Sequence, residues 1–323
     1  MIKLLNTFEM KSTSIIVLLL LFAISAVSQN SDYKSEEIKI NPLLNGLLLV
    51  PESKEATTLA IIIQGSGPTD RNGNQPMMNN NSLKYLAEIL SKENIATFRY
   101  DKRLVALARQ GRLVEEKIVF DDFIKDAMDV TAHFKKDPRF SKIVIIGHSE
   151  GSLVGMVAAQ DNRADAFISI AGAGQEIDDV IVDQLERQAP LLKDDARTSF
   201  DDLRVNGIAT NYGEGLSSIF RPSVQPFMRT WMAYNPQVEI AKLEIPVLII
   251  NGDEDIQVDE NEATLLKEAK PEAELLIIKG MNHVFKKITA GDTMENAKSY
   301  NEPNRKVMPE LTEAIEKFIK ALD

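Results

Sequence analysis

Cysteine is absent from this chain of 323 residues, tryptophan occurs once and histidine three times. The absence of cysteine excludes disulfides, thiol nucleophiles and thiolate metal ligands. A chain without disulfides must be stabilised by its hydrophobic core, and 323 residues with 44% hydrophobic content are enough to build one. The scarcity of histidine leaves few candidates for a reaction that needs an imidazole base.

Positive charge is also scarce, since 37 lysine and arginine residues stand against 48 aspartate and glutamate residues, for a formal net charge of −11. An acidic protein repels nucleic acid, so we expect no nucleic-acid partner.

Long apolar runs are nearly missing, and the longest, residues 15–24, has ten residues, too few to span a bilayer. Lys3 and Lys11 precede this run, and Ala26-Val27-Ser28 supplies small residues for cleavage. We therefore predict that residues 1–28 are a signal peptide, with either Met1 or Met10 as its start. The mature chain would be exported to the periplasm or outside the cell, without a stable membrane anchor.

A G-x-S-x-G pentapeptide occupies residues 147–151, directly after the apolar run 143–146 and before a helix-compatible stretch. In a sharp strand-to-helix turn, the residues two before and two after the serine come close together, and glycine relieves that crowding. Such a turn exposes the Ser149 hydroxyl for acyl transfer and directs the N–H of Glu150 at a forming oxyanion. The alternative is an ordinary glycine-rich turn.

A nucleophilic serine needs a base, and the chain offers three histidines. His148 adjoins the serine in the turn, so its side chain points away from the hydroxyl. His133 lies off the apolar stripe of a predicted helix over residues 120–136, toward solvent. His283 follows a strand-like run and the turn Gly280-Met281-Asn282. We predict His283 as the base, with a surface loop histidine as the alternative.

The base needs a carboxylate that fixes its tautomer, and Asp253, Glu254 and Asp255 follow the buried-strand pattern of residues 245–250. Asp255 is preferred because the next apolar pair returns the chain to the core and leaves Asp255 at the turn. Asp253 is interpreted as a solvated turn residue. A calcium loop is disfavoured, since Gln257 and Val258 replace its oxygen ligand and glycine. We expect no metal.

An oxyanion hole needs a second backbone N–H beside that of Glu150. The strand-like run 59–63 leads into a glycine-rich loop, residues 64–73, whose backbone can approach a ligand closely. Ser66 in this loop is predicted to be the second donor.

These motifs make the sequence resemble the α/β-hydrolases, in particular the bacterial carboxylesterases grouped with serine aminopeptidase-like domains. The resemblance rests on GSGPTDRNG at 65–73, RYDKR at 99–103, GHSEGS at 147–152, FRPSVQPFMRTWMAYNP at 220–236, NGDEDIQV at 251–258 and GMNH at 280–283. It implies Ser149 as nucleophile, Asp255 as acid and His283 as base, without a cofactor. It also implies an α/β fold, with a mostly parallel central sheet flanked by helices and a helical cap insertion.

Two positions depart from the family pattern. Gln64 replaces the histidine that many hydrolases place before the oxyanion glycine, which leaves the backbone donors intact. Leu-Val-Ala-Leu follows Arg103 where relatives usually carry a glycine-rich turn, so the shape of residues 103–119 is not predicted.

The remaining pattern organises residues 29–323 as one α/β domain, since strand-like and helix-like stretches alternate along it. A leading hairpin is predicted at 33–50, with Asn45-Gly46 as its turn. The alternation lapses between residues 171 and 246, and we predict that roughly 175–243 form the cap. Further elements are predicted as helices at 82–92, 120–136 and 307–321 and strands at 95–100 and 166–170.

Trp231, Phe227 and Met228 belong to an aromatic and methionine cluster in the cap, and they would either bind the substrate or seat the cap on the body.

The main hypothesis is a secreted serine carboxylesterase that cleaves small to medium acyl esters. An aminopeptidase or amidase with the same triad is the alternative, and it would need a cap carboxylate to hold an amine. The candidates are Glu186, Asp201 and Asp202. A third hypothesis is a non-catalytic binding protein on a hydrolase scaffold.

Overall fold

The computed structural model describes residues 32–52, 57–161 and 163–322, and the predicted signal peptide lies outside this range. The described strands form one sheet of eight, in the order β1-β2-β4-β3-β5-β6-β7-β8. Their bounds are β1 Tyr33–Asn41, β2 Leu44–Pro51, β3 Thr57–Ile63, β4 Ala96–Tyr100, β5 Phe140–His148, β6 Ala166–Ile170, β7 Val247–Gly252 and β8 Glu274–Ile278.

Helices connect and flank these strands. Their bounds are α1 Ser82–Lys92, α2 Arg103–Arg109, α3 Phe120–Phe134, α4 Glu150–Ala158, α5 Ile177–Gln188, α6 Lys193–Asn206, α7 Ser217–Phe220, α8 Gln225–Trp231, α9 Pro236–Ala241, α10 Glu260–Ala269, α11 Thr293–Ser299 and α12 Pro309–Lys320. Short 3-10 turns cover Glu115–Lys117, Ala159–Asp161, Pro190–Leu192 and Glu214–Leu216.

The strands from β3 to β8 pair in parallel, and only β1 and β2 run antiparallel to their neighbours. Alternate residues of β3 enter two separate cores, as Leu59 and Ile61 face one side of the sheet while Ala60 and Ile62 face the other. Helices α3, α4 and α10 cover the first side, and α1 and α12 cover the second. The sheet is therefore buried on both faces, which explains why its strands read as uninterrupted apolar runs.

The leading hairpin is present, but the predicted turn at Asn45-Gly46 is wrong. The chain turns at Pro42-Leu43, where the Asn41 side-chain oxygen accepts the N–H groups of Leu43 and Leu44 at 2.9 and 3.0 Å. Gly46 lies inside β2, where a Cβ atom would stand 2.2 Å from the Phe98 ring. This glycine is a close-packing residue rather than a turn residue.

Helices α5 to α9 lie between β6 and β7, in the region where the sequence predicts the cap. They bury a separate hydrophobic cluster, in which the rings of Phe200 and Phe220 are 4.6 Å apart. Over the described part of the chain, none of the helices combines the length and the apolar character that crossing a membrane requires.

Candidate active site

Ser149 lies at the turn between β5 and α4, with backbone angles φ 56° and ψ −122°. A non-glycine residue in this region costs about 1–3 kcal/mol and persists only where its surroundings enforce it. Close packing at both glycines holds the turn in this conformation. A Cβ at Gly147 would stand 2.2 Å from the Gly151 carbonyl oxygen, and one at Gly151 would stand 2.5 Å from the Ile63 oxygen. The Ser149 N–H also donates to the Ile170 oxygen at 3.0 Å, which ties the turn to β6.

His283 and Asp255 form a buried pair, with Nδ1 of the imidazole 2.7 Å from Oδ2 of the carboxylate. The other carboxylate oxygen accepts the N–H groups of Gln257 and Val258 at 2.8 and 3.0 Å, so the acid is held in one orientation. Asp253 is exposed, and it accepts the N–H of Gly280. The structure thus joins His283 to Asp255 rather than to Asp253.

Ser149 and His283 line the same narrow cleft, about 50 Å³ in volume. Within the described residues, no hydrogen bond joins the Ser149 hydroxyl to the His283 ring. Catalytic hydrogen bonds of this type often tighten only when the substrate is bound. The cleft therefore brings Ser149 and His283 together, and the hydrogen bond to Asp255 orients the His283 ring.

His148 contacts His283, the predicted base, on the side of its backbone carbonyl. Its Nε2 lies 2.9 Å from the His283 carbonyl oxygen, and its ring packs 4.8 Å from the rings of both His283 and Phe285. Burial lowers the pKa of His148 to about 3, and the nearby His283 also lowers it, against a smaller rise from the backbone hydrogen bond. The ring is therefore neutral near pH 7 and donates its Nε2 proton to the carbonyl. His133 is exposed, as the sequence predicts.

The loop after β3 brings Ser66 beside the nucleophile. A Cβ atom at Gly65 would stand 3.1 Å from Cβ of Ser149. The loop backbone therefore contacts the turn at residues 147–151, which is called the elbow below. The Ser66 carbonyl accepts hydrogen bonds from Thr69 Oγ1 at 2.6 Å and Gln75 Nε2 at 2.9 Å, which fix the loop. Glu150 is the first residue of α4, where helical N–H groups lack partners within the helix. Both predicted oxyanion donors therefore line the pocket beside Ser149.

A buried ion pair under the elbow was not foreseen from the sequence. Lys102 Nζ lies 2.5 Å from Glu150 Oε1, the exposed fractions of the two side chains are 5% and 1%, and the ammonium stands 4.8 Å from the Phe123 ring centroid. Lys102 follows β4 and Glu150 follows the nucleophile, so the pair links the loop after β4 to α4. It also neutralises a carboxylate that would otherwise oppose a neighbouring oxyanion.

Replacing Lys102 by methionine should lower the free energy of unfolding by about 3–5 kcal/mol, because it leaves the Glu150 carboxylate buried without its partner. Urea unfolding followed by circular dichroism measures this change. The double variant Lys102→Met/Glu150→Gln removes both charges and should recover most of the loss. A loss below about 1 kcal/mol in the single variant would show that the pair is not buried in solution.

Comparisons with known proteins agree with this architecture, although no family model matches the chain. Esterase EstD of Thermotoga maritima is 25% identical over 270 residues, which are 78% of this chain, and the chain spans 60% of the length of that relative. The structure of Est1E from Butyrivibrio proteoclasticus is 18% identical, with a TM-score of 0.56, over 89% of this chain and 98% of that one. The chain has the α/β-hydrolase fold.

A peptidase shares this α/β-hydrolase fold. The acylaminoacyl peptidase of Pyrococcus horikoshii has a TM-score of 0.53 at 14% identity, over 90% of this chain and 42% of that one. The fold alone therefore leaves open the choice between ester and amide substrates, which must be argued from the site.

Two cavities meet at the predicted oxyanion donors, Ser66 and Glu150. The small cavity, about 300 Å³, contains Ser149 and is lined mainly by α5 and by the loop after Asp255, including Ile177, Val180, Ile181, Gln184, Gln257 and Val258. The large cavity, about 740 Å³, is lined by α2, by α8 and by the loop after β3, including Asn74, Gln75, Leu104, Val105, Phe227 and Met228. Ser66, Glu150 and Trp231 line both. Residues 103–109, whose shape the sequence left open, thus form a helix along the large cavity.

The three cap residues named from the sequence pack within the cap or against the body, and they also line a cavity. Trp231 stacks on Phe120 of the body, with ring centroids 5.4 Å apart and planes 6° apart, and Phe227 packs against Phe120 at 6.0 Å. Met228 lies in the hydrophobic cluster of the cap. All three also line the large cavity, so the contacts that seat the cap form its wall.

The cap carboxylates that an aminopeptidase would need do not line either cavity. Glu186 pairs with Lys193 at 2.7 Å, Asp201 pairs with Arg197 at 3.0 Å, and Asp202 accepts from Asn206 at 3.3 Å. Glu186 and Asp201 are exposed and Asp202 is half-buried, and none of the three lines either cavity.

Proposed function

We propose that this protein is an exported serine hydrolase that cleaves carboxylic esters of small to medium acyl groups. The observation that carries the proposal is the buried Asp255–His283 pair, 2.7 Å apart, whose imidazole lines one cleft with a serine held in a strained elbow. A strained serine beside an oriented imidazole is the arrangement that acyl transfer requires. The 25% identity to an esterase supports the choice of ester chemistry.

In the proposed reaction, His283 takes the Ser149 hydroxyl proton while Oγ forms a bond to the ester carbon. The carbonyl oxygen becomes an oxyanion, which the N–H groups of Ser66 and Glu150 stabilise. The intermediate collapses, the bond to the alkoxy oxygen breaks, and His283 returns the proton to the departing alcohol. Water then repeats the sequence on the acyl-enzyme and releases the carboxylic acid and the free serine.

The aminopeptidase alternative has less support, because the acidic side chains that line the two cavities already have partners. Glu150 pairs with Lys102. Glu115 accepts from Arg221 and Ser223. Asp70 accepts the N–H groups of Asn72 and Asn74 at 2.8 and 2.9 Å. A substrate ammonium would therefore find Glu115 and Glu150 already paired with cations, and Asp70 held by the backbone of its own loop.

Export also belongs to the proposal. It is supported by the charged and apolar pattern of residues 1–28, which the structure does not describe. N-terminal sequencing of the protein recovered outside the cytoplasm should begin at Gln29. Recovery of the intact precursor from the cytoplasm would contradict export but not the proposed ester hydrolysis.

The proposed activity is tested with p-nitrophenyl esters of two to twelve carbons against amino-acid p-nitroanilides, on the protein starting at Gln29. We expect turnover of the esters, and an excess of kcat/KM for esters over anilides of at least 100-fold. Reaction with a fluorophosphonate should label Ser149 in a 1:1 ratio, as peptide mass spectrometry can show. Faster turnover of the anilides would favour the peptidase, and failure of both substrates and label would favour the binding protein.

A further inference from the structure

The junction of the two cavities coincides with the proposed oxyanion hole, since Ser66, Glu150 and Trp231 line both of them. A carbonyl oxygen held by the first two N–H groups places the ester carbon at this junction. The acyl chain and the alkoxy group then diverge from that carbon, one on each side of Trp231. The indole is held between them by its stacking on buried Phe120.

The position of the base decides which cavity receives which half. His283 must reach the departing alkoxy oxygen, so the alcohol lies on the side of the Asp255 and His283 loops. Gln257 of the first loop lines both the small cavity and the cleft that contains His283. The large cavity shares Ser66 and Gln75 with that cleft, and both belong to the loop after β3. No residue of 253–258 or 280–288 lines the large cavity. The alcohol therefore occupies the small cavity, and the acyl group occupies the large one.

The wall of the small cavity combines apolar side chains, such as Ile177 and Val180, with glutamine amides that offer neutral hydrogen-bond acceptors. Gln184, Gln188 and Gln257 donate their amide N–H groups to the Gln257 carbonyl, the Ile256 carbonyl and the Tyr300 hydroxyl, at 3.0, 3.1 and 2.9 Å. No described residue donates to their amide oxygens, which leaves these oxygens for a ligand. The charged residue that lines this cavity, Glu150, is paired with Lys102. A neutral ligand with several hydroxyl donors complements such a wall.

The large cavity has the larger apolar wall, to which Leu104, Val105, Phe227 and Met228 belong, and the loop after β3 adds the polar residues Asn74 and Gln75. Its charged groups have partners as well: Arg221 bonds to Glu115, Arg109 lies 3.4 Å from Asp101, and Glu150 pairs with Lys102. Asp70 accepts the N–H groups of Asn72 and Asn74. An uncharged hydrocarbon chain fits this wall best, because it buries apolar surface and no polar group of the ligand loses its hydration.

We infer that the substrate joins an apolar acyl group, held in the large cavity, to a neutral polyhydroxy alcohol, held in the small cavity. This inference rests on the proposed function and adds the chemical class of each half of the ester. Trp231 keeps the two halves apart, and the three glutamines recognise the hydroxyl groups of the alcohol.

The first test compares one acyl group, octanoate, as its methyl ester, its 1-monoacylglycerol and its 6-ester of methyl glucoside. We expect kcat/KM for at least one polyhydroxy ester to exceed that of the methyl ester by about 10-fold or more, as two or three hydrogen bonds predict. A preference for the glycerol ester or for the glucoside ester identifies the source of the alcohol. Equal values, or a preference for the methyl ester, would overturn the inference.

The second test separates the cavities by variants. Gln184→Leu removes an acceptor from the small cavity, and it should reduce the preference for the polyhydroxy ester about 3- to 10-fold. Its deacylation rate constant should match that of the wild type, because the alcohol has already left the acyl-enzyme. Gln237→Leu makes the same change on α9, outside both cavity walls, and should alter neither quantity.

Ala108→Trp places a large side chain at the wall of the large cavity, from an exposed position on α2. It should slow deacylation of the decanoyl-enzyme at least 10-fold relative to the acetyl-enzyme, and it should leave the alcohol preference as in the wild type. The reverse pattern, with Ala108→Trp altering alcohol preference and Gln184→Leu altering deacylation, would overturn the assignment of the cavities. Loss of the proposed function itself would look different, as no ester of any kind would be turned over with a Ser149 dependence.

Discussion

Replacement of Ser149 by alanine is expected to lower kcat for ester hydrolysis by about 10⁶-fold, the scale of loss when a triad nucleophile is removed. Alanine cannot form the acyl-enzyme, and the oxyanion donors alone would act on a directly attacking water. Continuous assay of p-nitrophenyl butyrate measures the rate, and the burst of p-nitrophenol should also disappear. Because alanine meets the same strain as serine at φ 56°, the free energy of unfolding should change little.

Ser152→Ala is the matched control, since it removes a hydroxyl three residues further along α4. That hydroxyl bonds to Ser169 at 2.7 Å and lies outside the walls of both cavities, so kcat should stay within a few-fold of the wild type. More than 1% residual activity in Ser149→Ala, after removal of contaminating esterases, would assign the nucleophile elsewhere.

Replacement of Asp255 by asparagine should lower kcat by about 10⁴-fold while the fold remains intact. The carboxylate now accepts the Nδ1 proton of His283 at 2.7 Å, which leaves Nε2 free to take the serine proton. An asparagine amide that donates to Nδ1 favours the opposite tautomer and provides no negative charge for the imidazolium. Steady-state kinetics with p-nitrophenyl butyrate measure the loss, and thermal unfolding checks the fold.

Asp253→Asn provides the comparison for this variant, two residues away on the same loop. Asp253 is exposed and accepts the Gly280 N–H, so its replacement should change kcat by less than about 5-fold. A large loss in Asp253→Asn together with a small one in Asp255→Asn would show that the loop presents the other carboxylate in solution.

The elbow and the acid–base pair could be predicted because their constraints are local. Gly147 and Gly151 are required by contacts within one turn, where an added Cβ would stand 2.2 and 2.5 Å from backbone oxygens. His283 was reached by elimination among three histidines, and Asp255 by its place after a buried strand. Each step used residues close in sequence, or the order in which an α/β chain delivers its loops.

The sequence did not predict the features that depend on contacts between residues far apart in the chain. Asn45-Gly46 has the composition of a hairpin turn, yet Asn41 captures two backbone N–H groups four residues earlier, and Gly46 is needed beneath the Phe98 ring. The Lys102–Glu150 pair joins residues 48 positions apart, and nothing in either local sequence marks the other as its partner. The two cavities likewise arise only when α2, α5 and α8 are assembled.

The hydrogen bond from His148 to the His283 carbonyl has a consequence for motion within the site. His148 precedes Ser149 in the chain, and the acceptor belongs to the backbone of His283, so the bond links the predicted nucleophile to the predicted base without using a reacting atom. We expect that a displacement of the histidine loop carries the turn at Ser149 with it. The separation of Ser149 and His283 should then vary less than the position of either residue relative to the sheet.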